Sequence, residues 1–229
     1  MILKDLISKN KILSDLFKNI PDKTLNHIVN GISGNSKNIK NDYIFVAIKG
    51  AQFDGSDFIT EARQNGAFLI IADKSEDKTV ISTNKISTRL VYTELLASFY
   101  YKQPKEIIGV TGTNGKTSTV EFCRQLWAQA GWKAASMGTL GTNIENTLNK
   151  NFLKSSRQSL TTFEPDELYK ELYSLENQEI SHLALEASSH GLDQYRLDSI
   201  KFTGAVFTNL SHDHLDYHDN IKNYFNCKK

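Results

Sequence analysis

Residues 107–122 read IIGVTGTNGKTSTVEF, an apolar run that opens into glycines and closes on Lys116, Thr117 and Ser118. Glycines at positions 109, 112 and 115 would let the backbone approach an anion, with the amides of a helix start pointing toward it. Lys116 would place a point charge on the outer phosphates of a nucleotide, and Thr117 would offer a hydroxyl to Mg2+. The spacing is unusual: in G-x-x-x-x-G-K-[ST] the first glycine would fall on Val110. The competing reading is a glycine-rich turn with an exposed lysine. Strand, G-K-T and helix in register favour a phosphate loop.

Two further stretches carry polar groups at the ends of apolar runs. In LALEASSHGLDQYRL (183–197), Glu186 closes a strand-like run and is followed by Ser188, Ser189 and His190. The carboxyl end of a strand in an open α/β sheet is where ligands bind, and a carboxylate there suits a Mg2+ that bridges nucleotide phosphates. A helix cap or a surface charge would use the same residue. Next, AVFTNLSHDHLDYHD brings Asn209, Ser211, His212, Asp213, His214, Asp216 and His218 together, and four of the six histidines lie between His190 and His218. Zinc is a rival there, since His and Asp both ligate it. Two polar strand ends downstream of a phosphate loop favour a shared Mg-ATP cleft, with the phosphate acceptor unassigned.

These groups need a scaffold. The chain opens on apolar positions near helical spacing, Leu3, Leu6, Ile7, Leu13, Leu16 and Phe17, which predict one amphipathic helix. NDYIFVAIKG predicts a buried strand, FITEARQNGAFLIIAD a helix stopped at Gly66 and then a strand, and STRLVYTELLASFYYK a helix ending before Pro104. That proline marks the expected boundary between a domain of residues 1–103 and one of residues 104–229. Beyond it come the strand KEIIGVTG, the helix KTSTVEFCRQLWAQAG, the strand KAASMGT, the helix EPDELYKELYSLEN, the strands SHLALEAS and KFTGAVFTNLS, and a final helical start. Alternation of this kind predicts an α/β fold with a parallel sheet and crossover helices.

Composition narrows the class. Lys+Arg 27 against Asp+Glu 26 gives a net charge of +1, which offers no electrostatic pull toward nucleic acid. Lys4 and Asp5 interrupt the first apolar run, so it is no signal-peptide core, and no apolar segment is long enough to span a bilayer. Cys123 and Cys227 make neither a disulfide framework nor a metal spacing. A cytoplasmic protein is expected.

The form GTNGKT, preceded by GV-T, resembles the ATP loop of the Mur ligases and of the folylpolyglutamate synthetases, which are ATP-dependent amide-forming ligases. EASSHGLDQYR and FTNLSHDHLDYH together resemble the central domain of the Mur ligase branch that adds the third residue to the peptidoglycan stem peptide. The run S-S-H-G-L-x-Q-x-R is particular to that branch. Upstream, NSKNIKNDYIFVAIKGAQFDGSDFITEARQNGA is similar to the family's UDP-binding N-terminal domain, so the resemblance covers most of the chain.

The resemblance implies a small N-terminal α/β UDP-binding domain followed by a truncated ATP-binding domain of the phosphate-loop type. Gly112, Thr113, Asn114, Gly115, Lys116, Thr117 and Ser118 would hold ATP. Thr117, Glu186 and His214 would ligate Mg2+, joined by Lys228 as a carbamate, and Lys116, Glu186, His214 and Lys228 would be the catalytic set. From residue type alone, Lys228 reads instead as a solvated helix lysine beside Lys229. The UDP-N-acetylmuramoyl dipeptide would meet Ser36, Ala51, Gln52 and Phe53, then Thr161, Thr162, Ser188, Gln194 and Arg196. Arg196 could clamp a phosphate or carboxylate with its planar fork. ATP would phosphorylate the D-glutamyl carboxylate, and the amine of meso-diaminopimelate or L-lysine would displace phosphate. The product would feed cell-wall synthesis.

Some positions depart from the family pattern. Asn35-Ser36-Lys37 stands where D-S-R is usual, and Ser118 replaces a common threonine. The family continues into a C-terminal domain that binds the amino acid, which implies a piece of a ligase, a non-catalytic nucleotide-binding remnant, or a split enzyme completed by a separate C-terminal chain. The last metal ligand, Lys228, is expected on a frayed helix.

Overall fold

The computed structural model describes residues 1–50, 53–144 and 160–229 and divides into two compact units, Met1–Tyr101 and Lys102–Lys229. Among the described residues no helix is long and apolar enough to cross a membrane.

The first unit opens on two short helices, α1 (Leu3–Ser8) and α2 (Lys11–Leu16), where periodicity predicts one. The break has a local cause: Asn10 sits in extended backbone and its side-chain oxygen accepts from the Leu13 N–H at 3.0 Å, capping α2 and ending α1. Leu3, Leu6, Ile7, Leu13 and Phe17 are still buried, because both pieces keep their apolar faces inward. Then come α3 (Asp22–Leu25), β1 (Gly31–Ser33), β2 (Tyr43–Val46), α4 (Ile59–Gln64), β3 (Ala67–Ala72), β4 (Val80–Ser82) and α5 (Thr88–Phe99). The four strands pair in sequence order, all parallel. Phe45, Ala47, Ile70 and Ala72 form one cluster with Ala62 of α4. The alternate residues Ile44, Val46 and Ile71 are equally buried, so this sheet is covered on both faces, as parallel sheets require. Gly66 ends α4 with φ +102°, where a side chain would strike Asn41.

The second unit contains β5 (Glu106–Thr111), α6 (Lys116–Gln129), β6 (Ala134–Gly138), β7 (Gly141–Ile144), α7 (Pro165–Asn177), β8 (His182–Glu186), α8 (Ser189–Asp193), β9 (Gly204–Phe207), α9 (Leu215–His218) and α10 (Ile221–Lys228). The strand order is β7-β6-β8-β5-β9. All neighbours are parallel except β7, which turns back antiparallel on β6. Ile107, Val110, Leu183, Ala184 and Leu185 are wholly buried, and Val120 of α6 packs on Val110 and Ala184. Helix α7 buries Leu168, Tyr169, Leu172 and Leu175, one stripe of a helical surface. After β5 the chain crosses to β6 on one side, and after β8 it reaches β9 on the other. The carboxyl ends of β5, β6, β8 and β9 therefore meet at a reversal of strand order, the place where such sheets bind ligands.

Candidate phosphate-loop site

The loop after β5 is shaped by two glycines. Gly112 has φ +135°, and a Cβ there would lie 2.0 Å from Thr208 Oγ1. Gly115 has φ +84° and starts α6, with nothing near a would-be Cβ. The loop end of β9 holds the rim in place. The Asn114 carbonyl accepts from Thr208 Oγ1 at 2.7 Å and from Asn209 Nδ2 at 3.1 Å, while the Asn114 N–H donates to Asn209 Oδ1 at 3.0 Å. The Thr113 N–H donates to the Asn209 carbonyl at 2.9 Å, and its hydroxyl accepts from the Ser211 N–H at 3.0 Å and sits 3.2 Å from Tyr224 Oη. Thr113 and Asn114 thus fix the loop's shape. An anion is left to the helix start at Lys116, Thr117 and Ser118, whose first-turn amides point out of α6.

Two ammonium groups converge on one carbonyl. Lys116 Nζ donates to the Gly112 oxygen at 3.0 Å and to the Thr113 oxygen at 2.7 Å. Lys228 Nζ donates to the same Gly112 oxygen at 3.0 Å and to Thr111 Oγ1 at 3.4 Å, and lies 4.6 Å from the Tyr224 ring centroid. Lys228 is 7% exposed, so the expected frayed, solvated lysine is instead a buried one at the loop. Burial, then the charge of Lys116, pulls Lys228 down to about 8. Burial also lowers Lys116, against the opposing pull of Glu186 and Asp213. Burial disfavours the charged form of both lysines, so a bound anion would stabilise that form here.

Glu186 closes β8 at 1% exposure. Its Oε1 accepts from the Thr139 N–H at 2.9 Å, its Oε2 accepts from Thr139 Oγ1 at 3.3 Å, and the nearby Thr117 hydroxyl favours its ionised form. Burial raises its carboxyl above the ordinary value in spite of these donors. Gly138 makes room, since a Cβ there would lie 2.2 Å from Oε1.

His214 stands apart from this carboxylate in its contacts. With φ +51° it begins α9, its Nε2 is 3.5 Å from Asp213 Oδ2, and its ring meets His190 edge-on at 4.8 Å. His190, His218, Tyr217 and Tyr224 complete this ring cluster. Among the described residues no three His, Cys, Asp or Glu side chains are grouped so as to hold a metal ion.

The residues of the second unit expected to meet the acceptor form one network. Thr162 Oγ1 donates to the Glu186 carbonyl at 3.0 Å and accepts from the Ser188 N–H at 2.9 Å. Ser188 Oγ accepts from the Gly191 N–H at 3.1 Å, capping α8. Arg196, 8% exposed, donates to the Thr162 carbonyl at 2.9 Å and Gln194 Oε1 at 2.7 Å, and pairs with Glu164 at 2.9 Å. Its fork is therefore already engaged, and it braces the loop that carries Thr161 and Thr162. Thr161 Oγ1 is 3.3 Å from Thr139 Oγ1.

In the first unit, Ser36 is buried with its hydroxyl on Glu61, Asn35 caps the Lys37 N–H, and Phe53 exposes its ring. Ala51 and Gln52 lie outside the described residues. Sequence reasoning missed Thr139 and Tyr224. Thr139 offered one signal, a hydroxyl just past a strand-ending glycine; Tyr224 offered none.

The family model "Mur ligase middle domain" matches residues 110–229, and "Mur ligase family, catalytic domain" matches residues 28–97. The UDP-N-acetylmuramoyl-L-alanyl-D-glutamate--2,6-diaminopimelate ligase of Brucella melitensis biotype 1 is 41% identical over 87% of this chain and 40% of its own length. That of Rickettsia conorii is 43% identical over 88% of this chain and 42% of its own. A solved structure of a ligase of the same name superposes with TM-score 0.74 and 28% identity, over 94% of this chain and 43% of that one. MurF ligase from Thermotoga maritima in complex with ADP, 21% identical over 86% of this chain and 41% of that one, shares the fold at TM-score 0.52. The chain thus spans less than half the length of these relatives. With a middle-domain match over more than half its residues, it belongs to the Mur ligase family.

Proposed function

We propose that this chain supplies the UDP-sugar-binding and ATP-binding parts of a ligase that joins 2,6-diaminopimelate to UDP-N-acetylmuramoyl-L-alanyl-D-glutamate in the cytoplasm. One observation carries the reading: Lys116 and Lys228 both point at the Gly112 carbonyl, at a glycine loop beside the buried Glu186. The relatives' names supply the acceptor and the amino acid.

The cation-rich loop would orient the β- and γ-phosphates of ATP so that the γ-phosphoryl group passes in line to the D-glutamyl carboxylate of the acceptor and ADP leaves. Lys116, released from its own loop carbonyls, would offset charge that builds on the transferred group. The resulting acyl phosphate would then take the incoming amine at its carbonyl carbon, and phosphate would leave. A free carboxylate is too poor an electrophile for that step, which is why ATP is consumed.

The hard oxygens of Glu186 and Thr117 would hold Mg2+, which would supply charge neutralisation for a bound phosphate. Lys228 fits only after its neutral amine adds CO2 and releases a proton, which turns a cation into an oxygen donor. Its burial and its position beside Lys116 support that conversion. His214 would join this set by moving away from the ring cluster.

The test is calorimetric titration of the 229-residue chain with ATP, with and without Mg2+, beside a Lys116→Ala variant. We expect Mg2+-dependent binding that weakens by about tenfold or more in the variant, the value of a charge-assisted contact. Absence of nucleotide binding would sink the proposal. Ligation assays with and without a separately produced C-terminal portion of a relative then separate a competent half-enzyme from a non-catalytic remnant.

A further inference from the structure

We propose that Thr139 is a positioning residue that holds the Glu186 carboxylate and ties it to Thr161 on the acceptor side. The inference rests on the ligase reading for the roles of Glu186 and Thr161, but its geometry stands on its own. Thr139 touches both carboxylate oxygens, through its N–H to Oε1 at 2.9 Å and its hydroxyl to Oε2 at 3.3 Å. The same hydroxyl lies 3.3 Å from Thr161 Oγ1. A threonine hydroxyl has one proton and two lone pairs, and an ionised carboxylate can only accept. The Thr139 hydroxyl is the donor toward both Glu186 Oε2 and Thr161 Oγ1, and its single proton goes to the carboxylate whenever that group is ionised. Thr139 thus stands between the carboxylate and Thr161, within reach of both.

The surroundings leave Glu186 little choice of place. It is 1% exposed, and Gly138 presents an empty face against Oε1. Glycine and threonine at the end of β6 thus act as a pair, the first admitting the carboxylate and the second aiming it. Thr161 adjoins Thr162, which is bonded to the backbone at Glu186, so the acceptor loop is fastened to this carboxylate by side chain and by main chain.

The experiment compares Thr139→Val, Thr139→Ala and Thr139→Ser in the full chain. Valine keeps the shape and the backbone donor but removes the hydroxyl; serine keeps the hydroxyl. ATP affinity is read with Mg2+ and with a chelator, and folding is checked by urea unfolding. We expect the valine and alanine variants to lose about tenfold in affinity with Mg2+ and under about twofold without it, with serine near the unmodified chain. Equal losses with and without Mg2+, no loss at all, or a serine variant as weak as valine would each overturn the proposal. If the unmodified chain binds no ATP, the ligase reading fails and the positioning claim is judged from crystal structures of the ligand-free variants. A Glu186 carboxylate turned away from residue 139 in the valine or alanine variant then supports it, and an unmoved carboxylate in both overturns it.

Discussion

The two loop glycines look equivalent in sequence and are not equivalent in the structure. Gly112 combines a left-handed φ with a steric conflict, since its Cβ would meet Thr208 Oγ1 at 2.0 Å, whereas Gly115 has only the φ of +84°. Gly115→Ala should cost about 1–2 kcal/mol, the penalty of a left-handed L-residue. Gly112→Ala should cost more and also push Thr208 off the Asn114 carbonyl, so nucleotide affinity falls with stability. Urea unfolding and ATP titration of both variants check this, and equal effects would refute the distinction. At this scale the sequence was partly legible. The loop and Glu186 announced themselves by type and spacing. Lys228 read as solvated because its burial depends on α10 lying over Thr111 and Gly112, about a hundred residues earlier in the chain. Arg196 read as an open clamp because its partners Glu164 and Thr162 come from a loop more than thirty residues away.

At the scale of elements, α6 is held to the β6–β7 hairpin by one carboxylate. Glu121 accepts from Ser136 Oγ and from Asn143 Nδ2 at 2.8 Å on one oxygen, and from Arg124 at 2.9 and 3.2 Å on the other. Burial pushes this carboxyl up, but the bonds from Ser136, Arg124 and Asn143 outweigh it and hold it below its usual 4.5. Because its folded value lies below its unfolded one, ionised Glu121 contributes stability above pH 4.5 that is lost as the pH falls below it. Glu121→Gln should cost about 2 kcal/mol near neutral pH by removing the charge that Arg124, Ser136 and Asn143 bond to, and the variant should lose less stability on acidification. Unfolding midpoints measured between about pH 7 and 3 decide this, and parallel curves for both proteins would count against it. Apolar runs made β5, β8 and α6 legible. The strands β1, β4 and β7 are three or four residues long, too short for any period to show, and β7 also turns against the parallel direction. The split of the first helix escaped because one capping bond at Asn10 outweighed a periodicity that runs straight through it.

At the scale of the molecule, each unit carries its own sheet and its own buried residues. The α/β class followed from the strand–helix alternation, because it needs only the order of elements and not their contacts. Residues 1–101 produced alone should therefore unfold cooperatively in urea, with a single transition seen alike by far-UV circular dichroism and tyrosine fluorescence. A broad or probe-dependent transition would show that this unit needs the other to fold.

Strand order also sets a timetable during synthesis. In the first sheet every strand pairs with its neighbour in the chain, so pairing can advance as the polypeptide leaves the ribosome. The second sheet is built differently: Ile107 of β5 waits for Leu183, and Ile108 waits for Gly204 as well. The phosphate loop therefore emerges on a strand with no partner, and it acquires its shape only once Thr208 and Asn209 have been translated. Until then the apolar Ile107–Val110 stretch is open to wrong pairing and to capture by chaperones. A slow codon run or a stalled ribosome before residue 204 would prolong this exposure of the nascent chain.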